Sequence, residues 1–136
     1  MIEVLGLEAG YGRIRVLNGV TFAVAPGSAV GILGHNGMGK TTLLRTLVGL
    51  IPATGGSVTL GGEDVTRLPT HARSKRGMAY VPQGRQIFPG LSVRENLRLA
   101  AVASGRGAAA VGRVLEEFPG LGRLIDRPGG ALSGGE

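Results

Sequence analysis

Apolar residues recur along this chain with two spacings, one typical of strands and one typical of helices. Residues 29–33 form a continuous apolar run, Ala-Val-Gly-Ile-Leu, which predicts a buried strand. Residues 43–50 are also largely apolar, and their length favours a helix. Residues 2–7 alternate weakly, and a second apolar region covers residues 16–24. These two regions predict an antiparallel hairpin, with a turn at residues 10–12, in front of the buried strand.

The middle of the chain mixes turn residues with shorter apolar stretches. We expect a loop over residues 52–56, followed by a strand over residues 57–60 that Gly61-Gly62 ends with a turn. Residues 69–76 predict a short, exposed basic helix whose charges face solvent. Residues 77–82 predict a further strand that stops at its proline.

The last third of the chain is predicted to be helical. Ser92 and Glu95 have the spacing of a capping box and predict a helix from Val93 to about Ala103. Residues 108–118 predict a second helix, and residues 121–126 a last helical turn. Strands and helices together indicate the α/β fold class.

Composition narrows the possible functions. A chain of 136 residues with 43% hydrophobic residues fits one globular domain. No apolar run approaches the roughly 18 residues of a membrane span, and no export signal is recognised at the start. The absence of cysteine excludes disulfides and thiolate chemistry. The net charge of +6 is dispersed and aromatic residues are few, which argues against nucleic acid as the main partner.

Residues 34–42 read Gly-His-Asn-Gly-Met-Gly-Lys-Thr-Thr and match the pattern G-x-x-x-x-G-K-[ST] of a phosphate-binding loop. Glycines let the backbone turn so that its N–H groups converge on a phosphate. The following helix adds the positive end of its dipole. Lys40 then supplies a charge to the outer phosphates, and the Thr41 hydroxyl can bind Mg²⁺. The alternative is a simple glycine turn with a solvated lysine.

Three other places suggest chemistry. Tyr11 is either a turn tyrosine with its hydroxyl in water or an aromatic face for a nucleotide base. Gln83 follows a predicted strand, where open α/β sheets place ligand contacts, although a surface glutamine is the simpler reading. Ser133 with its two following glycines resembles a backbone anion site. His35 and His71 are too isolated to be metal ligands or bases.

In this combination the motifs resemble the nucleotide-binding subunits of ABC transporters over the whole chain. Residues 34–42 resemble the Walker A loop, Tyr11 the A-loop aromatic that stacks on adenine, and Gln83 the Q-loop glutamine. Residues 132–136, Leu-Ser-Gly-Gly-Glu, resemble the LSGGQ signature with Glu in place of Gln. The resemblance implies that Lys40 and Gln83 are catalytic and that Thr41 and Gln83 bind Mg²⁺. The residues that it implies for ATP binding are Tyr11, Val16, Gly34, Asn36, Gly37, Gly39, Lys40, Thr41, Thr42, Ser133 and Gly135.

Within that family, residues 81–97 are similar to the second ATPase of branched-chain amino acid importers and to urea and short-chain amide importers. This implies a P-loop ATPase with an N-terminal antiparallel β subdomain and a helical subdomain. It also implies a position on the cytoplasmic face of a bacterial inner membrane, without insertion into it. The implied partners are a homologous ATPase subunit, with signature residues binding the partner's ATP, and integral membrane permeases.

One departure from the family pattern concerns hydrolysis. The Walker B aspartate, catalytic glutamate, D-loop and switch histidine follow the signature in the family, and no counterpart is found within residues 1–136. We therefore expect an N-terminal part of the domain with an incomplete core: residues 1–91 as catalytic core, 92–131 as helical subdomain and 132–136 as signature. Alone, this chain should be aggregation-prone and inactive as an ATPase. The alternatives are a non-hydrolysing nucleotide-binding fragment and a non-transport ABC ATPase.

Overall fold

A computed structural model describes residues 1–84 and 86–133 of the chain. The chain divides into two compact units, the first from Met1 to Val81 and the second from Pro82 onward. The division into core, helical subdomain and signature at residues 91/92 and 131/132 stays a prediction. No helix in the described ranges is both long and apolar enough to cross a membrane.

The first unit is built on an antiparallel sheet. Its strands are β1 (Ile2–Tyr11), β2 (Ile14–Val24), β3 (Ala53–Leu60) and β4 (Glu63–Asp64), in the order β2-β1-β3-β4. The predicted hairpin is confirmed, and its strands are longer than expected because pairing continues to Tyr11↔Ile14 at the tip. The predicted loop over residues 52–56 is wrong from Ala53 onward, because β3 continues to pair with β1 there.

Two helices belong to this unit. Helix α1 (Lys40–Leu47) buries Leu43 and Leu47 against the sheet, and α2 (Thr70–Lys75) follows β4. The buried apolar cluster consists of Val4, Leu7, Ala9, Leu17, Leu43, Leu47, Ile51, Val58 and Val65. Burying such side chains is the main favourable term in folding, so this cluster fixes α1 on the sheet.

The prediction that the charges of α2 face solvent is wrong for Arg73, which is only 2% exposed. Its guanidinium donates to the carbonyl oxygens of Thr46 and Leu47 at the end of α1, and to those of Thr66 and Leu68. Five N–H donors in a fixed fork let an arginine be buried when carbonyls surround it. Sequence spacing on α2 gives no sign of these acceptors, because they lie on other elements.

The predicted strands over residues 29–33 and 77–82 are also wrong. Neither segment forms a strand, and Leu33 and Val81 are 93% and 91% exposed. An extended segment becomes a strand only when its N–H and C=O groups pair with a neighbour. Within the part of the chain that the structure describes, no such pairing is present for these residues.

The second unit is helical. It contains α3 (Val93–Ala103), α4 (Ala109–Glu117), the short α5 (Pro119–Gly122) and one 3₁₀ turn (Gly129–Ala131). The first predicted helix and its capping box are confirmed, since Ser92 and Glu95 exchange hydrogen bonds at the start of α3. The second predicted helix is confirmed within one residue at each end. The last predicted helical turn begins two residues early, at Pro119.

Candidate functional site

The loop before α1 has the backbone conformation that its glycines predict. Gly34, Gly37 and Gly39 have φ values of 152°, 85° and 90°, in the left-handed region that L side chains rarely adopt. Gly39 is the N-cap of α1, and the N–H of Leu43 makes the first helical hydrogen bond to its carbonyl at 2.8 Å. The N–H groups of residues 40–42, which lie between Gly39 and Leu43, point out of the start of the helix, at the positive end of its dipole.

Lys40 lies over this loop. Its Nζ donates to the carbonyl oxygens of Gly34 and His35 at 2.6 and 2.7 Å. The ammonium group is therefore held at the mouth of the loop by two neutral acceptors. Phosphate oxygens are stronger acceptors for a cation, so an anion entering the loop can replace these carbonyls. The loop and Lys40 together form a cradle that fits a phosphate group.

Strand β2 lies against the last glycine of the cradle, Gly39. A Cβ atom added to Gly39 would lie 3.0 Å from Val16 Cγ1 and 3.3 Å from Leu17 Cδ2. This close approach and the φ of 90° together favour glycine, and the contact fixes the start of α1 on β2. Val16, which the resemblance places beside the base, therefore lies against the beginning of α1.

Tyr11 is the last residue of β1 and lies beside α1. Hydrogen bonding with the Thr42 side chain, and to a lesser extent with Arg45, holds the pKa of the Tyr11 phenol below its ordinary value. The residue is 49% exposed, so its ring remains accessible. The structure thus brings Tyr11 to the helix of the phosphate loop, while its stacking on a base stays a prediction.

Sequence reasoning missed Arg45 and Tyr80. The Tyr80 hydroxyl, followed by that of Tyr11, raises the pKa of the Arg45 guanidinium above its ordinary value. Thr42 and Arg45 are three residues apart on α1, and this spacing places them on one helix face. That spacing was the available signal for Arg45; nothing in the sequence indicated Tyr80.

The other predicted site residues fall into three groups. Asn36 and Thr41 are exposed in the loop and at the start of α1, while Thr42 is buried. Gln83 and Ser133 belong to the second unit, and Gln83 is exposed without a preceding strand. Gly135 lies outside the described residues. The roles of Gln83, Ser133 and Gly135 toward a nucleotide stay predictions.

Comparison with known proteins adds the following similarities. A family model described as ABC transporter matches residues 17–136. The probable branched-chain amino acid transport ATP-binding protein LivF of Archaeoglobus fulgidus is 38% identical over 138 residues, which cover 100% of this chain and 58% of the relative. The lipopolysaccharide export system ATP-binding protein LptB of Escherichia coli K12 is 37% identical over 135 residues, 96% of this chain and 56% of the relative.

A solved structure shares the architecture. The dimeric structure of a post-hydrolysis state of an ATP-binding cassette, bound to ADP and Pi, matches with a TM-score of 0.83 and 26% sequence identity. The match covers 99% of this chain and 64% of that chain. This chain thus spans 56–58% of the length of the two curated relatives above.

Proposed function

The chain belongs to the ABC transporter family and has the ATP-binding cassette fold, and from this premise we propose that it is the ATP-binding part of an importer subunit. The proposed solutes are branched-chain amino acids or related small polar molecules. Two observations support this choice: the similarity of residues 81–97 to such importers, and the 38% identity to a relative named for branched-chain amino acid transport.

The observation that carries nucleotide binding is the cradle formed by the left-handed glycines, the start of α1 and Lys40. In this proposal the loop and helix N–H groups hold the phosphates, and the Lys40 ammonium exchanges its two loop carbonyls for outer phosphate oxygens. Thr41 and Gln83 would hold Mg²⁺ through a hydroxyl and an amide oxygen. ATP supplies the transferable phosphoryl group, and its adenine would stack on Tyr11 beside Val16.

The proposed partners follow from the family. We propose that a homologous ATPase subunit pairs with this one, and that Ser133 and Gly135 bind the partner's ATP. A similar cassette has been solved as a dimer with ADP and Pi. We propose permease subunits in a bacterial inner membrane as the second partner, and a position of the chain on the cytoplasmic face of that membrane.

The Lys40→Ala variant tests the nucleotide site. We expect ATP affinity, measured by titration calorimetry, to fall about 100-fold or more, because charge-assisted hydrogen bonds to the phosphates are lost. The far-ultraviolet circular dichroism spectrum should be unchanged, since Lys40 is outside the buried cluster. Lys75→Ala, the same change at an exposed position on α2, is the matched control. Wild-type affinity in Lys40→Ala would show that the site is assigned wrongly.

A non-hydrolysing nucleotide-binding role is a second candidate, and three of the four acids of the first unit favour it because they already have partners. Glu8 pairs with Arg15, Glu63 with Arg76, and Asp64 with Thr66. Phosphoryl transfer to water needs a carboxylate or amide that orients the water. We expect phosphate release from ATP by the 136-residue chain to stay at background. A turnover of about 1 s⁻¹, the low end of typical enzymes, would refute this candidate.

The solute is tested separately, because LptB, whose name refers to lipopolysaccharide export, is almost as similar to this chain as LivF. Uptake of labelled leucine should fall when Lys40→Ala replaces the native residue in cells. Normal leucine uptake together with defective lipopolysaccharide export would contradict the importer proposal. Normal uptake and export would favour a non-transport ABC ATPase.

A further inference from the structure

The Asn96 side chain fastens the loop that precedes α3. Its Nδ2 donates to the carbonyl oxygens of Phe88, Leu91 and Ser92, at 3.0, 3.2 and 3.0 Å. Its Oδ1 accepts a hydrogen bond from the Phe88 N–H at 2.9 Å. Both ends of the amide are therefore used to hold residues 88–92 in one conformation.

The same loop is bonded to the segment that leads to Ser133. The N–H of Gly129 donates to Leu91 O at 2.8 Å, and the N–H of Gly130 donates to Pro89 O at 3.0 Å. The N–H of Val93 donates in the other direction, to Arg127 O at 3.0 Å. Leu91 O thus accepts from both Asn96 and Gly129, which joins the amide directly to the second segment.

The two segments approach each other closely at Gly129 and Gly130. A Cβ added to Gly129 would lie 3.2 Å from Asn96 Nδ2 and 3.3 Å from Phe88 O. A Cβ added to Gly130 would lie 3.0 Å from Pro89 Cβ. These contacts add to the backbone hydrogen bonds that hold residues 88–92 against residues 127–130.

Asn96 is not needed to begin α3. The Ser92 hydroxyl accepts from the Glu95 N–H at 3.2 Å, and the Glu95 carboxylate accepts from the Ser92 N–H at 2.7 Å. The Val93 and Arg94 N–H groups donate to the carbonyl oxygens of Arg127 and Ile125. The helix start is therefore satisfied without the Asn96 side chain. The Asn96 amide is therefore available to bind the loop, and three carbonyls converge on it.

We propose that Asn96 is a positioning residue that joins the segment following Gln83 to the segment preceding Ser133. Residues 88–92 begin five positions after Gln83, and Gly130 lies three positions before Ser133. A displacement of either segment then displaces the other. Insofar as Gln83 and Ser133 bind nucleotide, this role rests on the proposed function.

The Asn96→Asp variant tests the connection in the intact 136-residue chain. It keeps an acceptor for the Phe88 N–H but replaces the donor by a charged oxygen facing three carbonyls. We expect amide hydrogen exchange at Gly129 and Val93, measured by nuclear magnetic resonance, to become about tenfold faster. Gln86→Glu, the same chemical change at an exposed position of the same unit, should leave both rates unchanged. Unchanged exchange in Asn96→Asp, or equal acceleration at the Ser104 amide of α3, overturns the proposal.

A second measurement separates positioning from general stability. Asn96→Asp should bind ATP with wild-type affinity, while its ATP-dependent dimerisation, followed by analytical ultracentrifugation, should weaken about tenfold. Wild-type dimerisation in the variant overturns the positioning role even if exchange is faster. If the unmodified chain itself neither binds ATP nor dimerises, the proposed function fails, and the exchange rates alone decide the inference.

Discussion

Replacing Arg73 by methionine should cost the first unit a large part of its stability. The change keeps an unbranched side chain in the buried space but removes four hydrogen bonds, to the carbonyls of Thr46, Leu47, Thr66 and Leu68. Burial lowers the pKa of the Arg73 guanidinium, and the charge of Asp64 opposes this shift. The cation is therefore stabilised by these acceptors against the loss of its hydration.

The magnitude follows from two opposing terms. Hydrogen bonds to charged groups contribute about 1.5–3 kcal/mol each, so four of them set an upper bound. The cost of burying the cation, several kcal/mol, is recovered in the variant. The acceptors are neutral carbonyls, and a carbonyl left buried without its donor costs about 1–3 kcal/mol. After the recovered cost of burying the cation, we expect a net loss of free energy of unfolding of about 3–5 kcal/mol. Arg73→Lys should lose less, since an ammonium group keeps the charge but not the planar fork.

Tyrosine fluorescence makes this measurement specific to the first unit. The chain has two tyrosines and no tryptophan, and Tyr11 and Tyr80 both lie between Met1 and Val81. In urea, a loss of 4 kcal/mol should lower the unfolding midpoint by about 2 M for a slope of about 2 kcal/mol/M. Lys75→Met, on the exposed side of α2, is the matched control. Equal midpoints for Arg73→Met and Lys75→Met would refute the role of the buried guanidinium.

Three further predictions concern the site and its surroundings. Tyr11→Ala should weaken ATP binding, measured by calorimetry, about 10- to 100-fold because the stacking on the ring is lost. Tyr11→Phe should lose less affinity because it keeps the ring. Equal losses in the two variants would assign the effect to the hydroxyl. Gly39→Ala should weaken ATP binding, since its Cβ would lie 3.0 Å from Val16 at a φ of 90°. Gly27→Ala is the control: it is also strained, at a φ of 73°, but its Cβ would lie in open space, and it should bind ATP normally. Hydrogen bonds from Ser92 hold the pKa of Glu95 below its ordinary value of 4.5. The stability that these hydrogen bonds contribute is present above pH 4.5 and is lost as the pH falls through the lower pKa of the folded state. The midpoint temperature of thermal unfolding should therefore fall less steeply from pH 6 to pH 3 in Glu95→Gln than in the unmodified chain. Identical slopes would contradict the role given to the Ser92–Glu95 hydrogen bonds.

Local sequence signals predicted the elements whose stabilising contacts are themselves local. The capping box of Ser92 and Glu95 fixed the start of α3, because both partners lie within one helical turn. The glycines of the phosphate loop have the left-handed conformations that their spacing suggested. In both cases the residues that determine the conformation are neighbours in sequence.

The predictions that failed depend on distant partners. Residues 29–33 are apolar enough for a buried strand, but a strand also needs a neighbour to pair with. Arg73 looked like one more exposed charge, because its carbonyl acceptors lie on α1 and in the loop before α2. Arg45 and Tyr80 likewise meet across elements. Periodicity shows which face of an element is apolar, and it does not show what that face will meet.

Helix α1 shows why the loop motif alone does not make a phosphate site. It has eight residues, and isolated helices shorter than about 12 residues are marginal in water. Its start is fixed by the approach of Gly39 to Val16, and its middle by burial of Leu43. At its end, Arg73 binds the Thr46 and Leu47 carbonyls, which lie at the negative pole of the helix. The direction in which the loop presents its N–H groups is therefore set by the sheet and by α2 together.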